Sequence, residues 1–177
     1  MKVFIDIFSN DEVLSDGFSP EIKDDCLYTL KSKMINPDDV GNVNIGCGNA
    51  FGSEEDQHVE EGVEKVNSVI SNFSLEEYYG SKADVKEHFT RRIKAMKEKL
   101  ADKPDQLKNW EKGGAVAKFV KELFGKFDDV RWFMGSRYGN DQIEENESMI
   151  IAAFWVDDND SGETFFFFKD CLREQKV

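Results

Sequence analysis

The sequence predicts an α+β fold: a mostly antiparallel β core interrupted by an inserted α-helical hairpin and one long mobile loop. Three observations lead there. Strand-like apolar runs crowd both ends of the chain, over residues 3–8 and again over 130–134, 149–156 and 164–169. A capped, amphipathic helical pattern fills the middle, over residues 81–126. Between the first strands and that hairpin, residues 36–62 are rich in Gly, Asn, Asp and Glu and carry few large apolar groups. Strands, then helices, then strands again is the order of an α+β chain, not of alternating βα units. At 177 residues the chain is long enough to bury a core in one domain. The β core is expected over 1–35, 63–80 and 127–177, the acidic loop over 36–62 and the hairpin over 81–126.

The first strand places Val3, Ile5 and Ile7 on one face and Phe4 and Phe8 on the other, so both sides are expected to be covered. It then breaks into an acidic loop: Asn10, Asp11, Glu12, Ser15, Asp16 and Gly17. Residues 26–34 alternate, with Cys26, Tyr28, Leu30, Ser32 and Met34 on one face and Thr29, Lys31 and Lys33 on the other. That is a half-exposed strand. The loop over 36–62 cannot bury enough apolar surface to offset about 1–2 kcal/mol of backbone entropy per residue, so mobility is expected there. Apolar spacing returns at Val63, Val66, Val69, Ile70 and Phe73, read as a strand with helix as the alternative.

Ser81–Asp84 has the form of a capping box, with Asp where Glu or Gln is usual. Val85, Phe89, Ile93, Met96 and Leu100 then recur at steps of 4, 4, 3 and 4, one apolar stripe of a helix. Pro104 can open a second helix with Asp105 in its first turn. Leu107, Trp110, Ala117, Val120 and Phe124 continue at helical spacing. Gly113 and Gly114 weaken its middle by about 1 kcal/mol each relative to Ala. The remaining runs are β-branched, aromatic or continuously apolar, and read as strands.

The formal net charge of −13 argues against non-specific nucleic-acid binding and against an anionic membrane surface. No apolar run approaches the length of a bilayer span, and the N-terminus lacks the pattern of a signal peptide. Three widely spaced cysteines, Cys26, Cys47 and Cys171, suggest reduced thiols and a cytoplasmic setting. There is no CxxC pair, no phosphate-cradling Gly-Lys-Ser/Thr and no nucleophile beside His58 or His88, so no active site assembles; His88 is expected at the surface. The charge is unevenly spread. Residues 81–127 hold 13 Lys/Arg against 7 Asp/Glu, inside an otherwise acidic chain. Arg91, Lys94 and Lys97, off the apolar stripe, are the candidate contacts for acidic partners. Residues 157–163, Asp-Asp-Asn-Asp-Ser-Gly-Glu, resemble the start of a calcium loop, but Phe168 occupies the place of the bidentate Glu. A polar hairpin turn with Gly162 supplying positive φ is the simpler reading, with weak calcium binding left open.

Asp11-Glu12-x-x-Ser15-Asp16 near the initiator Met resembles the start of the translationally controlled tumour protein family. Gly48-Asn49-Ala50 before acidic residues, the Lys-rich hairpin with Pro at its turn, Trp132-Phe133-Met134-Gly135 and the run from Phe167 to Lys176 extend the resemblance in order along the chain. Phe51-Gly52, Ser136 and Val177 depart from the family pattern. The resemblance implies a tent-shaped Mss4-like fold, and a cytoplasmic protein that binds calcium, stabilises microtubules and supports growth and cell survival. It also implies a link to small GTPases, with the GTPase-contacting Glu falling on Glu12, beside Asp11. The missing CxxC pairs set the chain apart from the zinc-bearing methionine sulfoxide reductases of related fold. The expectation is a monomeric, non-enzymatic interaction protein requiring no cofactor. Its expected partners are tubulin or microtubules. The alternative is a nucleotide-exchange or chaperone factor for a small GTPase, acting through Glu12.

Overall fold

The computed structural model describes residues 1–39, 64–136 and 148–177. Most of the long acidic loop, with Cys47, His58, the Gly-Asn-Ala motif and Val63, lies outside them. Along the chain the strands are β1 (Lys2–Asp6), β2 (Glu12–Ser15), β3 (Glu21–Lys23), β4 (Leu27–Lys31), β5 (Met34–Ile35), β6 (Val66–Asn67), β7 (Glu76–Tyr78), β8 (Arg131–Met134), β9 (Ile151–Phe154), β10 (Thr164–Phe168) and β11 (Leu172–Lys176). The α-helices are α1 (Ser68–Phe73), α2 (Lys82–Lys99), α3 (Pro104–Trp110) and α4 (Ala115–Gly125). The strands form a six-stranded sheet in the order β3-β4-β10-β9-β8-β7, a three-stranded sheet β11-β1-β2 and a small β5-β6 ladder. The pairings described are all antiparallel.

Strand β10 is the centre of the core. All five of its residues, Thr164 to Phe168, are buried. A strand wedged between β4 and β9 and covered on both faces can afford four consecutive phenylalanines. Phe166 and Phe168 face the helices: Phe119 packs against both, at 5.2 and 6.2 Å between ring centroids, and Trp110 and Phe89 reach Phe168 at 5.4 and 5.9 Å. On the other face Phe165 meets Phe133 at 5.3 Å, and Phe167 pairs in register with Tyr28, which packs tilted against Phe4 of β1 at 4.9 Å. Each such ring contributes about 1.5–3 kcal/mol by burial. Opposite the rings, Ala152 and Ala153 of β9 are small enough for side chains to approach closely.

The hairpin forms as its caps dictate. Ser81 Oγ accepts from the Asp84 N–H at 3.2 Å, while Asp84 accepts from the Ser81 N–H at 3.0 Å, so both halves of the capping box are made. Val85, Phe89, Met96 and Leu100 turn inward, with Ile93 partly buried. Pro104 opens α3. The expected second helix is two helices, because Gly113 adopts φ 82° and breaks the run. The break resets the helical phase. The inward face of α4 is therefore Val116, Phe119 and Leu123, not the expected Ala117, Val120 and Phe124, which are only partly buried.

Two further expectations are corrected. The segment up to Phe73 is a strand only at Val66–Asn67; from Ser68 it is helix α1. Asn67 decides the switch, since its side-chain oxygen accepts from the Val69 and Ile70 N–H groups at 3.0 and 3.3 Å and caps the helix. The acidic loop after β1 is a tight turn, and Glu12–Ser15 returns as β2 beside β1. Cys26–Met34 keeps its alternation, but the strand stops at Lys31, and Met34 is exposed in β5.

A buried ion pair ties the hairpin to the β core. Arg92, on α2, donates to both Asp6 oxygens, at 2.8 and 3.2 Å, and both side chains are buried. Burial pulls the Arg92 guanidinium down, but the Asp6 charge and hydrogen bonds more than reverse this and hold it above its ordinary value. Replacing Arg92 with Met leaves a buried carboxylate without its cation, which costs about 3–5 kcal/mol. Urea unfolding of R92M is expected to show that loss. D6N/R92M, which removes the stranded charge, is expected to recover part of it. A loss below about 1 kcal/mol, the range of exposed ion pairs, would show that the contact does not anchor the hairpin.

Candidate partner-binding surfaces

The turn between β1 and β2 is built from its own polar groups. The Asp6 N–H donates to the Asp11 carbonyl and the Asn10 N–H to the Asp6 carbonyl, each at 2.9 Å, and Asn10 sits at φ 59°. Ser9 Oγ donates to Asp6 Oδ2 at 2.8 Å and accepts from the Asp11 N–H at 3.3 Å. Register slips by one residue between Phe4–Leu14 and Ile5–Glu12, a bulge that turns the chain at Glu12. Glu12 is exposed. Asp11, expected to share its role, is 2% exposed and lies under the surface. Its carboxylate fits over Gly135: a Cβ on that glycine would come within 2.3 Å of Asp11 Oδ2. The Trp132–Gly135 motif therefore ends in glycine because a buried acid occupies the space of a side chain. Of the two residues, only Glu12 is placed to touch a partner.

The solvent side of α2 is the second surface. Arg91, Lys94 and Lys97 are all exposed. Arg91 pairs with Glu87 one turn back. Lys94 and Lys97 make no ion pair with a described residue. His88, expected at the surface, is 8% exposed and packs edge-on against Tyr78 at 5.3 Å. It lies one residue before Phe89, close enough to the apolar stripe to be drawn in.

The turn at 157–163 joins β9 to β10 as a hairpin. Asp157 Oδ1 accepts from the backbone and side-chain N–H groups of Asn159 at 2.9 and 3.1 Å. Asp160 pairs with Lys31 of β4 at 3.3 Å, and Glu163 with Arg131 of β8 at 2.9 Å. Glu77 also grips Arg131, and their hydrogen bond, with Glu163, holds the guanidinium above its ordinary value. The sequence expectation that Gly162 supplies a positive φ is corrected: it is small because Ser32 Oγ and the Ser32 carbonyl would stand 2.7 and 2.8 Å from a Cβ. Among the described residues, no group of three or more His, Cys, Asp or Glu side chains is arranged to hold a metal ion. Two carboxylates of this turn, Asp160 and Glu163, serve cations on neighbouring strands.

The chain as a whole has relatives among known proteins. The family model described as translationally controlled tumour protein matches residues 1–173. The chain belongs to the translationally controlled tumour protein family. It is 33% identical over 180 residues to the translationally-controlled tumor protein homolog of Mycosarcoma maydis, covering 100% of both chains. It is 36% identical over 163 residues to the Saccharomyces cerevisiae homolog, covering 88% of this chain and 95% of that one. Among solved structures, it is similar to the translationally controlled tumor-associated protein p23fyp of Schizosaccharomyces pombe, at TM-score 0.74 and 25% identity over 100% of both chains. The fold is also that of the Caenorhabditis elegans family member, at TM-score 0.66 and 21% identity, covering 100% of this chain and 99% of that one. The α+β, Mss4-like fold expected from the sequence is the fold of this family.

Arg92 carries a signal in the sequence: it follows Phe89 by three positions and precedes Met96 by four, so it lies on the buried stripe. A cation there requires a buried acid, and Asp6 is the one acid in the buried β1 run.

Cys26 and Cys171 are free and buried. Burial pushes their thiols up from an ordinary 9.0, to about 11 and about 12. Below pH 9 both are neutral in the folded and the unfolded chain, so burial limits alkylation at neutral pH. Between pH 9 and about 11–12 the unfolded chain ionises first, and the thiols then work against folding. Iodoacetamide labelling read by peptide mass spectrometry is expected to leave Cys26 and Cys171 unmodified in the native protein at pH 8. Both should label once urea unfolds it. Native labelling at the unfolded rate would contradict this placement.

Proposed function

We propose that this protein is a non-enzymatic, cytoplasmic interaction protein that stabilises microtubules through the basic face of its hairpin. The observation that carries this reading is the exposed row Arg91, Lys94 and Lys97, within a segment of 13 Lys/Arg and 7 Asp/Glu in a chain of net charge −13. A face of that sign on an acidic protein favours acidic partner surfaces, as tubulin presents, and disfavours the protein's own acidic remainder. Growth and survival roles would follow from such partner binding.

Replacing Arg91, Lys94 and Lys97 with Glu is expected to abolish co-sedimentation with microtubules while the far-ultraviolet circular dichroism stays unchanged, since all three lie off the buried stripe. Wild-type binding should fall steeply with salt, because exposed charges are screened over about 8 Å at physiological ionic strength. A folded triple variant that still co-sediments like wild type would move the partner site elsewhere.

A second reading has its own observation. Glu12 stands exposed at a bulge whose backbone is fixed by Asp6, Ser9 and Asn10. We infer that it can act on a small GTPase as an exchange or chaperone factor, perturbing the magnesium or phosphate region. Small amounts of wild type should then accelerate nucleotide release from the GTPase, and Glu12→Ala should not. Equal rates with the two proteins would remove Glu12 from this role.

Calcium binding is proposed as weak, since Asp157, Asp160 and Glu163 each already hold Asn159, Lys31 or Arg131 and no metal-holding group of acids forms among the described residues. Tight sites arrange six to eight oxygens in advance. Calorimetric titration is expected to give a dissociation constant well above micromolar; a sub-micromolar value would overturn this.

A further inference from the structure

We propose that the cleft between the hairpin's turn and β11 binds the acidic segment of a partner protein, with one large apolar side chain of that segment seated in it. The inference rests on the reading that this basic region meets acidic proteins, and it names the chemistry of the contact.

The cleft holds about 340 Å³. Its apolar lining residues are Ile7, Met96, Leu100 and Leu172, with Tyr28. This is the small end of ligand-pocket volumes, suited to one aromatic or branched side chain rather than to a whole extended ligand. The charged groups around it are not balanced. Glu174 is held by Lys2 at 2.8 Å, and Lys169 is held by Asp25 at 2.9 Å. Asp170 accepts the Trp110 indole N–H at 2.9 Å. That leaves Lys99, Lys103 and Arg173 without an ion pair among the described residues, with the Asp170 charge close enough to act on Lys103.

Two of these three are oriented. The Lys99 ammonium lies 5.6 Å over the Phe8 ring. Arg173 donates to neutral amide oxygens, Oε1 of Gln175 and Oδ1 of Asn10, each at 3.3 Å. The three cations come from the end of α2, the hairpin turn and β11, and line the cleft together with its apolar floor. A lone carboxylate can satisfy one of them. A run of acidic residues can address all three while an apolar side chain between them enters the floor. Charge complementarity and a single apolar seat together select an acidic segment with one anchor.

The probe is a short glutamate-rich peptide carrying one central phenylalanine, compared with the same peptide carrying alanine there. Fluorescence anisotropy with the full chain is expected to show about tenfold tighter binding of the phenylalanine peptide, or about 1.4 kcal/mol. K99E/K103E should lose both peptides. Q106W, which fills the cleft from an exposed position on α3 without altering charge, should keep the weak charge-driven binding and lose the preference for phenylalanine. R91E/K94E/K97E should keep that preference, which separates this cleft from the face proposed to meet microtubules. If that triple variant still binds microtubules while the cleft variants behave as stated, the microtubule reading fails and this one stands. Three results would overturn the inference: no preference for phenylalanine in wild type, a preference that survives Q106W, or a blocked dipeptide of glutamate and phenylalanine that binds as tightly as the full peptide. The last would mark the cleft as a site for small anions.

Discussion

The Arg92–Asp6 pair is the contact on which the arrangement of the rest depends. It is the buried ionic link between two parts that hydrophobic burial alone would let slide, and the Trp110 indole N–H to Asp170 is a second polar contact between them. The aromatic surface of α2–α4 and the face of β10 fit as rings against rings, and offset ring packing tolerates small shifts. A buried bidentate ion pair does not, because each hydrogen bond lost strands a charge in a low-dielectric interior. Its net contribution to stability is therefore less important than its specificity. It fixes α2 at one height over β1. Phe8 reinforces it from outside the sheet, with the Arg92 guanidinium 4.5 Å over its ring.

Asp6 also reaches in the other direction. The same carboxylate that holds Arg92 accepts Ser9 Oγ, and Ser9 in turn supports the Asp11 N–H. Asp11 then fills the space above Gly135 at the end of β8. A single line of contacts runs from the hairpin, through the β1–β2 turn, to the central sheet. Glu12 is the exposed residue that this line holds in place. The two candidate partner surfaces are thus not independent features of the molecule. The basic face lies on the helix that Asp6 anchors, and Glu12 lies on the turn that Asp6 organises.

How much of this the sequence reveals follows from which forces are local. The capping box at Ser81–Asp84, Pro104 at the start of α3 and the apolar stripe of α2 are short-range patterns, and each forms as its residues dictate. The phenylalanine run of β10 announces a strand covered on both faces. Failures occur where a single residue redirects the chain. Asn67 caps α1 and cuts a strand short; Gly113 shifts the phase of α4 by its left-handed conformation. At Gly162 and Gly135 the signal is ambiguous in principle, since glycine marks either an unusual φ or a close neighbour, and only the fold supplies the neighbour. The candidate site was half legible for a related reason. Exposure of Arg91, Lys94 and Lys97 follows from helical periodicity. The burial of Asp11 beside an exposed Glu12 depends on a bulge and on a glycine more than a hundred residues away.

The distribution of charge completes the physical picture. The chain's acids are drawn into structure wherever a neighbouring cation allows it: Glu77 and Glu163 on Arg131, Asp160 on Lys31, Asp25 on Lys169, Asp6 on Arg92. These pairs stitch strand to strand and helix to sheet, and they consume carboxylates that a tight calcium cage would need. On the hairpin the balance is reversed. Lys94, Lys97, Lys99 and Lys103 make no ion pair among the described residues, in a protein that carries an excess of acids. Glu98 stands four residues on from Lys94 but makes no ion pair with it, and neither Lys97 nor Lys103 has an acid three or four residues away in the sequence. Cations left this way cost little while solvated, because water screens them. Their attraction becomes substantial only when an acidic surface displaces that water, which gives the hairpin a preference for acidic partners that the folded chain itself does not satisfy.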